Sequence, residues 1–176
     1  CMFAGLISVP SYVSLNPEQI KYILNDAEVK IIFVMNKFML DKIKKIRGEV
    51  PSLKTIVSFN DLPDEYISID VINYSTIRKN FSKSEDLKKL SSEINEEDLL
   101  TIIYTSGTTG NPKGVMLSHK NIYTNIKACM QVLLINEQDR FLSFLPFCHA
   151  YERTAGYYLA LFSGAEIYFA KNIDTI

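Results

Sequence analysis

The chain has 176 residues, 47% of them hydrophobic, which is enough for one domain with a sizeable core. Lysine and arginine number 19 and aspartate and glutamate 20, so the net charge of −1 excludes the basic balance typical of nucleic-acid-binding proteins. Three cysteines, Cys1, Cys129 and Cys148, lack metal-type spacing and favour a reducing compartment. No apolar run approaches the roughly 20 residues of a transmembrane helix. We therefore expect a soluble, cytoplasmic chain, with contact at a membrane surface left open.

Residues 1–59 predict a series of strands separated by helices. Short apolar runs rich in β-forming residues predict strands at 5–9, 29–35 and 54–59. The order strand–helix–strand–helix–strand is typical of an α/β fold in which helices lie on a largely parallel sheet.

The first of the two helices is predicted to begin at Asn16, as N-cap, with Pro17 in its first position. The second is predicted over residues 36–50, where Phe38 is among the apolar side chains expected to face the core. The same helix carries a basic cluster, formed by Lys42, Lys44, Lys45 and Arg47. We interpret this cluster as a solvated helix face rather than as a site for an anionic partner.

Residues 60–98 are polar, charged and interrupted by proline, and we predict that they form a variable connection. A helix is predicted at about 71–81, followed by a loose linker that ends in Glu96, Glu97 and Asp98. A metal site at these three carboxylates is disfavoured, because consecutive acidic side chains point in different directions and usually remain hydrated.

Residues 99–120 contain the most informative pattern. An apolar run beginning at Leu99 predicts a buried strand, and a Gly/Ser/Thr loop with Lys113 near its end follows it. Glycines allow close backbone approach to a ligand, and hydroxyls, backbone N–H groups and a lysine suit phosphate oxygens. The loop therefore predicts a polyphosphate site, although it matches neither the Gly-Lys-Ser/Thr P-loop nor G-x-G-x-x-G. An ordinary Gly/Ser/Thr hairpin remains the alternative.

After the loop, Ser118 is predicted to cap a helix that ends at about residue 134. Strands are predicted at 140–145 and 165–170, with a helix at 154–163 between them. His149 follows a strand end, which is the ligand side of a doubly wound sheet. This position makes His149 a candidate contact for a ligand. The alternatives are that His149 is a structural histidine, that the neighbouring Cys148 is a thiol nucleophile, or that His149 and Glu152 form a metal-binding pair.

The stretch YTSGTTGNPKGVMLSHKN, at residues 104–121, resembles the phosphate loop of the adenylate-forming (AMP-binding) superfamily. The segment LSFLPFCHAYERTAGYYLALFSGAEIYFA is similar to the one that follows this loop in long-chain acyl-CoA synthetases. VPSYVSLNPEQIKYILNDAEVKIIFV also resembles the family's N-terminal domain. The resemblance implies a partial N-terminal domain, which we divide into residues 1–59, 60–98 and 99–176.

By resemblance, the function is ATP-dependent activation of a long-chain fatty acid through an acyl-adenylate, followed by transfer to coenzyme A. The residues implied to hold the β- and γ-phosphates are Ser106, Gly107, Thr108, Thr109, Gly110 and Lys113. Thr105 matches the position that contacts Mg²⁺, and His149 is implied to lie near the acyl-adenylate. With Lys113, His149 is a candidate catalytic residue, whereas Glu152 and Arg153 are expected to fix the turn.

The sequence lacks several motifs that are found in the family. The downstream aromatic-Gly-x-Thr-Glu motif, the ribose-binding aspartate and the C-terminal lid with its lysine are not found. Both ends of the chain also look cut, so we expect this polypeptide alone to be inactive. An adenylation enzyme for amino or aryl acids and a non-catalytic nucleotide-binding protein remain alternatives. Acyl chain length and oligomeric state are not predicted.

Overall fold

The computed structural model describes residues 4–79, 85–105 and 111–171. The helices are α1 (Pro17–Asp26), α2 (Lys37–Ile46), α3 (Tyr74–Lys79), α4 (Glu85–Ser92), α5 (His119–Val132) and α6 (Leu159–Ser163). The strands are β1 (Ile31–Val34), β2 (Thr55–Ser58), β3 (Val71–Asn73), β4 (Leu99–Thr105), β5 (Lys113–Ser118), β6 (Arg140–Ser143) and β7 (Glu166–Phe169). Short 3₁₀ helices lie at Arg47–Glu49 and Asp64–Tyr66, and Glu152–Tyr158 is a π-helix. Among these described residues, no helix combines the length and apolarity needed to span a membrane.

The described chain divides into two compact units, and each is considered by itself. The β1 unit comprises residues 13–79, 85–88 and 111–113, and the β4 unit comprises residues 4–12, 89–105 and 114–171.

In the β1 unit, helix α1 begins as its sequence predicts. The Asn16 side chain accepts a hydrogen bond from the backbone N–H of Gln19 at 2.9 Å, and the Gln19 side chain accepts one from the Asn16 N–H at 3.1 Å. Pro17 occupies the first helical position, where a missing N–H costs nothing. This capping box satisfies donors that the first helical turn leaves without partners.

Strands β1, β2 and β3 form a parallel sheet in that order. Ile31 pairs with Thr55, and Ile56 pairs with Val71. Helices α1 and α2 pack apolar side chains with those of the sheet into one core. Its buried members are Ile20, Leu24, Val34, Leu40, Ile43, Ile46, Val50, Leu53, Ile56, Leu62 and Val71. The predicted α/β class with helices flanking parallel strands is therefore confirmed.

Three predictions for this part of the chain are wrong in detail. The helix predicted at about 71–81 begins as strand β3, and α3 starts only at Tyr74. The linker expected after it contains helix α4. Phe38, expected in the core, is 67% exposed and lies 5.0 Å from the ammonium group of Lys42.

In the β4 unit, β4 pairs with β5, and β6 pairs with β7 in parallel, with Arg140 opposite Glu166. Helix α5 is capped as predicted, because the Ser118 side chain accepts from the Asn121 N–H and the Asn121 side chain accepts from the Ser118 N–H. The core of this unit contains Leu100, Ile122, Ile126, Tyr158 and Leu159.

Two predictions for the β4 unit need correction. The strand predicted at 5–9 is reduced to a single parallel bridge between Ser8 and Thr101. The helix predicted at 154–163 begins earlier, because residues 150–163 are continuously helical and include the π-helical turns.

Candidate functional site

The proposed phosphate loop is bounded by two polar residues at strand ends. Thr105 is the last residue of β4, Lys113 is the first residue of β5, and both are exposed. The interior of β4 is buried at Leu100, Thr101 and Ile103, so the strand that leads to Thr105 is fixed in the core. The other proposed phosphate ligands, Ser106, Gly107, Thr108, Thr109 and Gly110, lie outside the described residues.

Gly114 has a structural role that the sequence did not predict. A Cβ atom at this position would lie 2.7 Å from Cγ2 of Ile102 and 3.1 Å from Cζ of Tyr104. Glycine therefore allows β5 to approach β4 closely immediately after Lys113. A glycine inside a strand often indicates such close approach, but Gly114 was part of the predicted loop rather than of a predicted strand.

His149 lies in the turn that follows β6, and its side chain is exposed. The backbone N–H of His149 donates to the carbonyl of Pro146 at 2.8 Å, which closes the turn. The ring of Phe147 packs edge-on against the rings of Tyr157 and Phe169, at centroid distances of 5.0 and 5.8 Å. The turn that presents His149 is thus anchored by aromatic side chains on two sides.

Cys148 differs from its neighbour because its side chain is buried, with 7% exposed. Burial raises the pKa of the Cys148 thiol above its ordinary value, although a hydrogen bond with Tyr12 acts in the opposite direction. Burial, together with the nearby Cys148, also raises the pKa of the Tyr12 hydroxyl. Because the thiolate is the nucleophilic form, this environment disfavours the thiol-nucleophile alternative.

Glu152 and Arg153 are both buried, with 3% and 9% of each residue exposed. The Arg153 guanidinium donates to the hydroxyls of Ser8 and Tyr158. Oε1 of Glu152 has no hydrogen-bond partner among the described residues. A Cβ on Gly156 would lie 2.6 Å from that oxygen, so a larger residue there would require the Glu152 carboxyl group to move.

The acidic residues before β4 are engaged within the chain. Glu96 and Glu97 both form ion pairs with Lys120, and the Asp98 carboxylate accepts from the Asn95 N–H at 2.8 Å. In the part of the chain that the structure describes, no group of three or more His, Cys, Asp or Glu side chains could hold a metal ion.

Two members of the basic cluster at Lys42, Lys44, Lys45 and Arg47 also form contacts within the chain. Lys42 donates to the carbonyls of Val13 and Leu15, each at 3.2 Å. Arg47 lies 3.6 Å from the Asp70 carboxylate. These contacts engage Lys42 and Arg47 within the chain, which disfavours a shared site for an anionic partner.

Comparison with known proteins identifies the family. Residues 1–175 match the family described as AMP-binding enzyme. The chain belongs to the AMP-binding enzyme family. This AMP-binding chain is 32% identical over 175 residues to the peroxisomal long chain acyl-CoA synthetase 6 of Arabidopsis thaliana, which covers 96% of this chain and 24% of the relative. It is also 32% identical over 167 residues to long-chain-fatty-acid–CoA ligase 1 of Cavia porcellus, covering 87% of this chain and 23% of the relative.

The AMP-binding chain thus spans about a quarter of the length of the curated relatives, 24% for the Arabidopsis protein. Among solved structures, it is similar to an anthranilate–CoA ligase in complex with anthranoyl-AMP. That match has a TM-score of 0.78 and 28% identity, and it covers 93% of this chain and 30% of the other. ATP-bound MatB from Rhodopseudomonas palustris shares the fold, with a TM-score of 0.68 and 21% identity over 96% of this chain and 31% of its own.

Proposed function

We propose that this chain forms the phosphate-loop and acyl-site segments of a long-chain fatty acid–CoA ligase. The observation that carries the proposal is the 32% identity, over 96% of the chain, to a relative named as a long chain acyl-CoA synthetase. Exposed Thr105 and Lys113 at the two ends of the loop support it.

The proposed reaction joins a carboxylate to a thiol in two steps. The fatty carboxylate attacks the α-phosphorus of ATP, which forms an acyl-adenylate and releases pyrophosphate. The thiol of coenzyme A then attacks the acyl carbon, which forms the thioester and releases AMP. The direct condensation of the carboxylate with the thiol is unfavourable in water, and cleavage of the bond between the α- and β-phosphates of ATP supplies the driving force.

Lys113 is proposed to bind the β- and γ-phosphates together with Ser106, Gly107, Thr108, Thr109 and Gly110. Its ammonium group follows the loop directly, where it can stabilise the charge that develops on the leaving pyrophosphate. Preorganised charge of this kind is the main contribution that proteins make to phosphoryl-type chemistry.

Thr105 is proposed as a contact for Mg²⁺. In phosphate sites this ion keeps several waters and takes few protein oxygens, and the exposed hydroxyl at the end of β4 fits that requirement. When bound, the ion neutralises phosphate charge. His149 is proposed to lie near the acyl group, because its exposed side chain follows the carboxyl end of β6.

A second candidate function is activation of an aryl acid. It is favoured by the similarity to the anthranilate–CoA ligase, at 28% identity and a TM-score of 0.78. The dipeptide Glu152-Arg153 weighs against this second candidate, because it resembles the sequence of the long-chain enzymes at this position.

Acid-dependent exchange of labelled pyrophosphate into ATP tests the proposal. The full-length product of the reading frame that contains this sequence is assayed with a long-chain fatty acid, an aryl acid and an amino acid. We expect exchange with the fatty acid, and a loss of about 100-fold in Lys113→Ala because the variant lacks the positive charge that stabilises the leaving pyrophosphate. Lys45→Ala is the matched control, since Lys45 is an exposed lysine of α2.

Exchange with the aryl acid alone would select the second candidate. A folded protein without exchange on any acid would overturn both candidates and favour the non-catalytic alternative.

A further inference from the structure

We propose that Arg153 is a positioning residue that fixes the His149 turn relative to strand β4. The inference rests on the proposed function, because that turn and that strand carry the acyl and phosphate parts of the proposed site. All of the residues that support it lie within the β4 unit.

Ser8 is held firmly on β4 by its main chain. Its N–H donates to the Leu100 carbonyl at 3.1 Å, and its carbonyl accepts from the Ile102 N–H at 3.0 Å. The Thr101 hydroxyl also donates to the Ser8 carbonyl, at 2.7 Å, from a side chain that is completely buried. Ser8 therefore pairs with β4 as a residue of a neighbouring parallel strand would.

Arg153 attaches to this point through its side chain. Its Nη2 donates to Oγ of Ser8, and the Ser8 hydroxyl in turn donates to the Leu100 carbonyl at 3.3 Å. A hydrogen bond from a guanidinium is stronger than one between neutral groups, and Arg153 is only 9% exposed. The link between the helix and the strand is therefore a charge-assisted contact in a water-poor environment.

Tyr158 orients the guanidinium for this contact. Its hydroxyl accepts from Nη2 at 3.1 Å and from Nε at 3.3 Å. In an α-helix, residues five apart point about 140° away from each other, because each residue turns by about 100°. The π-helix at Glu152–Tyr158 instead lets Arg153 and Tyr158 meet. Single π-helical turns occur frequently at functional sites.

The backbone of Arg153 holds the other half of the link. Its N–H donates to the His149 carbonyl at 3.1 Å, and the His149 N–H donates to Pro146 at 2.8 Å. One residue thus joins the turn that presents His149 to the strand that ends at Thr105. Loss of the guanidinium contact would allow the distance between the His149 turn and strand β4 to change. A misplacement of about 1 Å can reduce a reaction rate by about 100-fold.

Two single variants and one double variant test the role in the full-length protein. Ser8→Ala removes only the hydroxyl and keeps the main-chain hydrogen bonds, so it preserves folding better than Arg153→Met. The double variant tests whether both changes break the same link. Arg140→Met is the matched control, because Arg140 is an exposed arginine of the same unit that pairs with Glu166 at 3.3 Å.

We expect Ser8→Ala and Arg153→Met to lower kcat for adenylate formation by about 10- to 100-fold, with less than about a threefold change in KM for ATP. The double variant should be no slower than Arg153→Met alone, and Arg140→Met should match the wild type. Hydrogen exchange should increase at residues 146–153 in Ser8→Ala but not in Arg140→Met.

Several results would overturn the positioning role. These are unchanged kcat in both single variants, losses that multiply in the double variant, activity that falls only in proportion to the folded fraction, or unchanged hydrogen exchange at the turn. A wild-type protein that forms no adenylate with any acid would instead overturn the proposed function, which separates the two claims.

Discussion

Burial separates the neighbouring side chains of the His149 turn into different chemical roles. His149 is exposed, whereas Cys148 is 7% exposed and Glu152 is 3% exposed. The exposed imidazole of His149 is therefore available to a substrate, whereas the thiol of Cys148 and the carboxyl group of Glu152 are not. The buried neighbours hold the turn in place.

The buried Cys148 thiol gives a prediction about reactivity. Burial raises its pKa above the ordinary value of 9.0, so the thiol stays protonated at neutral pH. We expect iodoacetamide to modify Cys129 faster than Cys148 in the native protein, measured by mass spectrometry of peptides. Equal rates for the two thiols would contradict this prediction.

The same shift gives a prediction about stability against pH. Because the pKa is higher in the folded state than in the unfolded state, the protonated thiol favours folding. This contribution to stability is fully present below pH 9.0, the ordinary pKa of the thiol, and it is lost as the pH rises through the higher pKa of the folded state. Urea unfolding should therefore show that the wild type loses stability more steeply above pH 9.0 than Cys148→Ala does. Identical pH profiles of the two proteins would refute the expected linkage.

Gly114 gives a prediction at the start of β5. A Cβ there would lie 2.7 Å from Ile102, so Gly114→Ala should destabilise the native state by about 1–3 kcal/mol through overpacking. At Gly48 a Cβ would meet nothing within 4 Å, which makes Gly48→Ala the matched control. Urea unfolding measures both variants, and equal stabilities would show that β5 can move away from β4 at little cost.

At the scale of elements, the helix starts at the N-cap residues Asn16 and Ser118 were predicted best because that signal is local, whereas the helices predicted to start at 71 and 154 begin elsewhere. Asn16 and Ser118 both act as N-caps, and each contacts a residue three positions later. The parallel order of β1 and β2 also followed from the alternation of strands and helices. These features depend on a few neighbouring residues, which a single sequence displays directly.

The cap of α5 is testable by substitution. Ser118→Ala removes the acceptor for the Asn121 N–H at 3.2 Å, and we expect a loss of about 1 kcal/mol in unfolding free energy. Ser118→Thr keeps a hydroxyl and is the conservative control. A stability of Ser118→Ala equal to that of the wild type would mean that water replaces the cap without cost.

Features that depend on distant partners could not be predicted from the sequence. Residues 5–9 are apolar enough for a strand, but only Ser8 finds a bridge partner, at Thr101. The link between Arg153 and Ser8 joins residues separated by 145 positions. Phe38 follows the helical period of a core residue but is 67% exposed, because periodicity does not show how wide the covered face is. The π-helix likewise has no clear sequence pattern.

The candidate site was predicted in part. Thr105, Lys113 and His149 were identified from composition and strand ends, and all three side chains are exposed. Their resemblance-based roles as ligands stay predictions. Gly114 and the Ser8–Arg153–Tyr158 contacts were missed, because the close approach of β5 to β4 and the contacts of Arg153 appear only in the tertiary structure.

At the scale of the whole molecule, the two cores share no buried member among the residues that the structure describes. Leu40 is completely buried in the β1 unit and Leu159 is 1% exposed in the β4 unit. We expect Leu40→Ala and Leu159→Ala each to cost about 2–5 kcal/mol. The double variant should equal their sum within about 0.5 kcal/mol, as urea unfolding can measure. A larger deviation would reveal energetic coupling between the cores.

The bridge between Ser8 and Thr101 also affects how the protein is made on the ribosome. The two residues are separated by 93 positions, so translation delays the pairing of Ser8 by roughly 5–20 s at ordinary elongation rates. Strands β1 to β3 all emerge during that interval. The nascent segment that contains the apolar residues Leu6 and Ile7 stays without its partner strand during this interval, and we expect it to be accessible to chaperones until β4 is made.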